Sequence, residues 1–128
     1  MRHTHRIVVV DDDVAVRALF ADVLRRSGAT VTTAADGSEA VGLIVDGLRP
    51  CLVLADILMP RLDGWGMERA LQRLAPEVPV VLLTSDRLLT LRAPALHKPI
   101  SAAEIEALAR TYCPATRHAS QEESQQAG

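Results

Sequence analysis

Several apolar runs in this sequence stop abruptly at a residue that can do chemistry. Ile7-Val8-Val9-Val10 stops at Asp11-Asp12-Asp13. Cys51 through Ala55 stops at Asp56, and Ile57-Leu58-Met59-Pro60 and Asp63-Gly64 follow. A carboxylate delivered by a buried strand to the mouth of a sheet can bind a metal, act as a nucleophile or cap a loop. Thr84 closes the run Val80-Val81-Leu82-Leu83, and Lys98 follows Ala95-Leu96-His97. Lys98 is the single lysine beside thirteen arginines, a bias that codon composition alone can produce. Three carboxylates brought together repel, and each raises the others' pKa unless positive charge intervenes. Mg²⁺, a hard cation that takes a few carboxylates and keeps waters, resolves that repulsion. Lys98 adds a point charge suited to a phosphate oxygen, and Thr84 adds a hydroxyl donor. An aspartate flanked by metal, ammonium and hydroxyl is placed to attack phosphorus and form an acyl phosphate.

Alternating strands and helices position these groups. Ile7–Val10 has the continuous β-branched character of a central parallel strand. Val16, Leu19, Phe20, Val23 and Leu24 give the first helix an apolar stripe, and Gly28 ends it. Thr30–Ala34 is a second strand. Asp36 with Glu39 offers a capping box for a second helix striped by Val41, Ile44, Val45 and Leu48. Cys51–Ala55 is a third strand. Trp65–Ala75 is a third helix, with Met67, Ala70, Leu71 and Leu74 on one face. Val80–Leu83 is a fourth strand and Ala95–His97 a weak fifth. Ser101 with Glu104 caps a last helix striped by Ile105, Leu108, Ala109 and Tyr112. Such alternation predicts a parallel sheet covered on both faces, with ligands bound outside the carboxyl ends of the strands. Asp11, Asp12, Asp56, Thr84 and Lys98, from four strands, should converge there.

Bulk properties narrow the function. The 128 residues suit one domain, with residues 1–6 a flexible leader, 7–112 the folded unit and 113–128 a disordered tail. Phe20, Trp65 and Tyr112 are the only aromatics, so nothing stacks nucleic-acid bases, and a net charge of −2 gives no basic footprint. No run has the length of a membrane span or secretion signal, so a soluble, cytoplasmic protein is expected. Cys51 in a buried strand and Cys113 near the tail do not suggest a disulfide framework. His3 and His5 read as part of a frayed terminus, not a metal site.

The sequence resembles the receiver domain of bacterial response regulators in two-component signalling. The resemblance rests on Val8-Val9-Val10-Asp11-Asp12, Leu54-Ala55-Asp56-Ile57-Leu58-Met59-Pro60, Asp63-Gly64, Leu83-Thr84-Ser85 and Lys98-Pro99, in that order, and runs from Ile7 to Tyr112. It implies a flavodoxin-like, doubly wound α/β fold. The five-stranded parallel sheet would have order 2-1-3-4-5 between two helical layers. It makes Asp56 the phosphoacceptor and Asp11 and Asp12 the acidic pair serving Mg²⁺, with the backbone carbonyl of Leu58 completing the metal site. Thr84 and Lys98 would contact the phosphoryl group. The implied donor is a histidine kinase or histidine phosphotransfer protein. The chain would be a stand-alone regulator rather than an enzyme, with at most self-catalysed phosphorylation and dephosphorylation, no direct nucleic-acid or membrane contact, and a possible homodimer.

Two departures from that family stand out. Ser85–Ala93 leaves nine residues for the return crossover, whereas crossovers with a helix take at least about ten to twelve. The family's fourth helix should therefore be shortened or absent. Receivers also carry Tyr or Phe three residues before the lysine, where this chain has Ala95. These departures motivate a second reading, a receiver-fold binding module without phosphorylation-driven switching. A third reading, a small haloacid-dehalogenase-like phosphatase, rests on Asp11-x-Asp13. Among the blander assignments, Asp13 is expected to be an N-cap and Asp63-Gly64 a turn. Ser85 is a polar strand-end residue that can line the pocket, Arg87 and Arg92 are solvated, and His97 is a non-catalytic strand residue.

Overall fold

A computed structural model describes residues 5–59, 61–84, 95–98 and 100–113. Strand β1 (Arg6–Val10) leads to helix α1 (Val14–Arg26), β2 (Thr30–Ala34), α2 (Gly37–Val45) and β3 (Leu52–Asp56). Then come α3 (Gly64–Leu74), β4 (Val80–Thr84), β5 (Ala95–His97) and α4 (Ala102–Tyr112). All strand pairs are parallel and the order is β2-β1-β3-β4-β5, as expected for a doubly wound fold. The shortened-helix expectation and residues 114–128 of the expected tail lie outside the described residues.

The pleat divides the core. Val8, Val10, Val53, Ala55, Val80 and Leu82 face α2 and α3, meeting Ile44, Met67 and Leu71. Ile7, Val9, Leu52, Leu54, Val81 and Leu83 face α1 and α4, meeting Phe20, Leu24, Ile105 and Ala109. Both faces of the sheet are thus covered, which explains why the three central strands, β1, β3 and β4, read as apolar runs.

Side-chain caps fix where the helices begin. Asp13 accepts from the Ala15 and Val16 amides and Asp63 from that of Gly66. Ser101 and Glu104 form both halves of a capping box. Asp36 accepts from the Glu39 amide, but Glu39 reaches back to the Ala35 amide at 3.2 Å, one residue before the cap. Gly28, at φ 97°, turns the chain out of α1 in a conformation that disfavours a side chain.

The structure corrects several expectations. Leu19, Val45 and Leu74 are 59%, 64% and 45% exposed, so each expected stripe is narrower than its apolar spacing suggested. Arg6 already pairs in β1 and the His5 carbonyl accepts from the Thr30 amide at 2.7 Å, so these two residues, expected in a flexible leader, join the sheet. The largest correction concerns the cysteines. Cys51 and Cys113 form a disulfide with a Cα–Cα distance of 5.3 Å. Cys113, expected to begin the tail, is buried as the C-cap of α4. The pairing was hidden because α4 must first cross back over the sheet to bring its end beneath β3.

Candidate functional site

Asp11 is buried where β1 ends, and several contacts hold it. Its Oδ1 accepts from the Asp13 amide and its Oδ2 from Lys98 Nζ, both at 2.9 Å. Its own amide donates to the Ala34 carbonyl of β2 at 3.2 Å, and Arg17 Nη1 donates to its carbonyl at 2.7 Å. Asp12, the next residue, faces solvent. Asp56 closes β3, its side chain 14% exposed and one oxygen 3.8 Å from Lys98 Nζ. Carboxylate oxygens of Asp11, Asp12 and Asp56 all lie within 4.8 Å of one another.

Lys98 is directed by its strand and by Phe20. Its amide donates to the Thr84 carbonyl at 2.6 Å, which ties the end of β5 to the end of β4. Its ammonium lies 5.9 Å from the centre of the Phe20 ring, within cation–π range. Thr84 is wholly buried at the end of β4. Leu58, two residues past Asp56, lies in the loop before α3 with its side chain 54% exposed. His97 is exposed at the end of β5.

The charges are incompletely balanced. Burial pushes the Asp56 carboxyl up from 3.8 to about 6. Lys98 opposes that rise, Asp11 and Asp12 add to it, and the Ile57 amide opposes it weakly. Three close carboxylates with one ammonium leave an excess of negative charge. Their oxygens are hard donors, and this set fits a divalent cation such as Mg²⁺.

The loop from β3 into α3 is clasped at both ends. The Gly64 amide donates to the Ile57 carbonyl at 2.8 Å, and a Cβ on Gly64 would stand 2.7 Å from the Asp56 carbonyl oxygen. Arg61, at φ 64°, pairs through its guanidinium with the buried Asp36, its Nε at 2.8 Å. The Glu39 amide and Arg61 hold the Asp36 carboxyl below the usual range. The Leu62 carbonyl accepts from the Gly37 amide, where a Cβ would approach it to 2.4 Å.

The structure brings Asp11, Asp12, Asp56 and Lys98, each expected at a strand end, to one place, and the Thr84 carbonyl accepts from the Lys98 amide next to them. Sequence reasoning missed Phe20, Arg17, Arg61 and Asp36 as supports. Phe20 is read as core from its helical spacing, and Arg17 lies six residues beyond Asp11, with no local signal for either contact. Nothing in the sequence marked Arg61 as a residue that takes a positive φ. Asp13 serves as the cap of α1 that its position suggested.

Fold and site together define a doubly wound sheet with an acidic, lysine-bearing pole at its carboxyl edge. Residues 7–110 match the response regulator receiver domain. The chain belongs to that family, whose role is regulatory. It is 41% identical over 113 residues to "Response regulator MprA" of Mycobacterium sp. (strain KMS), covering 82% of this chain and 49% of that protein. It is 37% identical over 114 residues to "Probable transcriptional regulator ycf27" of Cyanophora paradoxa, covering 83% and 47%. The chain thus spans about half the length of these relatives. Among solved structures, the receiver domain of NtrX from Brucella abortus superposes with a TM-score of 0.74 at 32% identity, covering 83% of this chain and 96% of that one. The receiver domain of sensor histidine kinase PA1611 from Pseudomonas aeruginosa PAO1 superposes at 0.77 and 25% identity, covering 86% and 98%, and holds a magnesium ion in its active site cleft. Among the described residues no helix is long and apolar enough to cross a membrane.

Proposed function

We propose that Asp56 accepts a phosphoryl group from a phosphohistidine on a histidine kinase or phosphotransfer protein, with Mg²⁺ bound. The observation that carries this reading is the convergence of Asp56, Asp11, Asp12 and Lys98 at one pole of the sheet. An Asp56 carboxylate oxygen forms the new O–P bond while the donor's N–P bond breaks, and the imidazole leaves with the electron pair. With its pKa near 6, Asp56 is mostly ionised at neutral pH and ready to attack. Lys98, already within reach of Asp56, stabilises charge on the phosphoryl oxygens, and the Thr84 hydroxyl donates to another. Asp11, Asp12, Asp56 and the Leu58 carbonyl would hold the metal, which supplies charge neutralisation at the transferred group. The kinase receiver superposed above, with its magnesium, supports both the donor class and the ion. The modified domain then signals by docking to a protein or by passing the phosphoryl group onward.

Incubation with Mg²⁺ and a small acyl-phosphate or phosphoramidate donor should add one phosphoryl group by intact mass. Asp56→Asn should abolish it. A folded protein that gains no adduct would count against the reading.

Ala95 favours a second reading, because it stands where the family's switch uses an aromatic ring. A receiver without that ring can bind its partner regardless of phosphorylation. Partner affinity unchanged by Asp56→Asn would support this reading, and a change of about tenfold (about 1.4 kcal/mol) would sink it.

A further inference from the structure

The pole opposite the acidic site carries the cysteine pair. Cys51 precedes β3, five residues and about 16 Å of strand from Asp56. Cys113 ends α4, a helix about 16 Å long whose cap, Ser101, follows Lys98 by three residues. We propose that Cys51 and Cys113 are a reversible redox-modification site, fastening the last turn of α4 to the sheet when oxidised and releasing it when reduced. This does not rest on the phosphoacceptor reading.

Both redox states fit the surroundings. The Cys51 sulfur lies 3.4 Å from the Arg6 carbonyl oxygen, which can accept a thiol hydrogen once the bond is cut. Cys113 is 1% exposed among Ile7, Leu52 and other aliphatic side chains, where a thiol packs as a small hydrophobe. The cysteines belong to the core beside α1 and α4 alone, and the core on the other face of the sheet contains neither.

The exposures set the direction of exchange. Cys51 is only half-buried, whereas Cys113 is enclosed. An incoming thiolate of a low-molecular-weight thiol such as glutathione attacks the Cys51 sulfur, and Cys113 leaves as thiolate and takes a proton. A second thiol then releases the dithiol, so that protein disulfide and two thiols give protein dithiol and one small disulfide. Oxidation runs the same steps backwards.

Release should act on α4 locally. The amino end of α4 is held by the capping box and its middle by Ile105 and Ala109. Its last turn ends on the Cys113 amide, which donates to the Ala109 carbonyl at 2.7 Å, and on half-buried Tyr112. Cutting the crosslink frees that turn to fray while the sheet remains.

The test uses the full chain equilibrated in glutathione buffers of graded ratio, quenched with N-ethylmaleimide and weighed intact. The expected result is a single transition between no adduct and two, with the protein folded throughout. The 62-residue separation predicts that the oxidised form melts about 10 °C or more above the reduced form. Amide hydrogen exchange at Ala109–Cys113 should be about tenfold faster when reduced, with β1 and β3 unchanged. A Cys51→Ala/Cys113→Ala double variant should exchange like the reduced protein. Two adducts in every buffer, no adduct before denaturation, unfolding on reduction, or identical exchange in the two forms would each overturn the proposal.

Discussion

Asp56 is a carboxylate that the fold holds against its own charge. Its folded pKa, about 6, lies above the ordinary 3.8, so the metal-free folded state binds this proton more tightly than the unfolded state. The associated stability is complete below about pH 4 and is lost as pH rises through about 6, a change of up to about 3 kcal/mol. Other groups titrate in the same range, so the informative quantity is the stability difference between Asp56→Asn and wild type without metal. Urea unfolding should show that difference near zero at pH 4 and in favour of the variant at pH 7.5. A difference flat with pH would mean that Asp56 is not held as described. Lys98 is the counterweight. Lys98→Ala should raise the Asp56 pKa further, measurable by carboxyl NMR titration, and should destabilise the protein by about 3 kcal/mol because buried Asp11 loses its ammonium. The four charged site residues were legible because each follows an apolar strand, where a polar residue marks the strand's end. Phe20 beneath Lys98 and Arg61 on Asp36 were not, because those contacts join segments that meet only in the folded chain.

At the level of elements, the site depends on how closely α3 approaches the end of β3. Gly64 is the first residue of that helix, and both backbone atoms nearest a Cβ there, the Asp56 oxygen at 2.7 Å and the Ile57 Cα at 2.8 Å, belong to β3 and its exit. Neither is a flexible side-chain end, so Gly64→Ala must move the helix or the strand. The variant should lose about 2–4 kcal/mol in urea unfolding despite alanine's better helix propensity. Its phosphorylation rate should fall as well, because Asp56 shifts relative to Lys98. An unchanged rate with lowered stability would confine the role of Gly64 to packing. Helix starts were legible from short-range chemistry: Asp13, Ser101 and Glu104 bond to amides within three residues of themselves. Asp63 was read as part of a turn, and it proves to be the cap that starts α3. Helix faces were less legible, because spacing records which residues share a side but not how wide a partner covers it. Leu19 and Val45 lie beyond the edge of what the sheet covers.

Across the whole molecule, the sheet separates two aliphatic cores; its parallel strands followed from the alternation of elements in the sequence, and their order from the resemblance to receiver domains. Composition misled only at the chain's end, where Cys113 adjoins a polar tail in sequence yet lies under β3 in space. The separation has an energetic consequence. Leu71 of α3 and Leu24 of α1 are fully buried on opposite faces, each in a different cluster. Truncating either to alanine should cost about 2–5 kcal/mol, the loss of transfer energy plus the cavity left behind. Their cavities share no lining, so the Leu24→Ala/Leu71→Ala double variant should match the sum of the single losses to within about 0.5 kcal/mol. Met67 and Leu71, four residues apart on α3 and within one cluster, should behave otherwise. Removing both lets the neighbouring chains collapse into one shared space, so Met67→Ala/Leu71→Ala should depart from additivity by about 0.5 kcal/mol or more. Where a double variant no longer folds, Leu→Val changes at the leucines keep the cycle measurable. Coupling between the faces as large as coupling within one would show that the sheet transmits strain from core to core. The acidic pole, built on the ends of those same strands, would then respond to packing on either side.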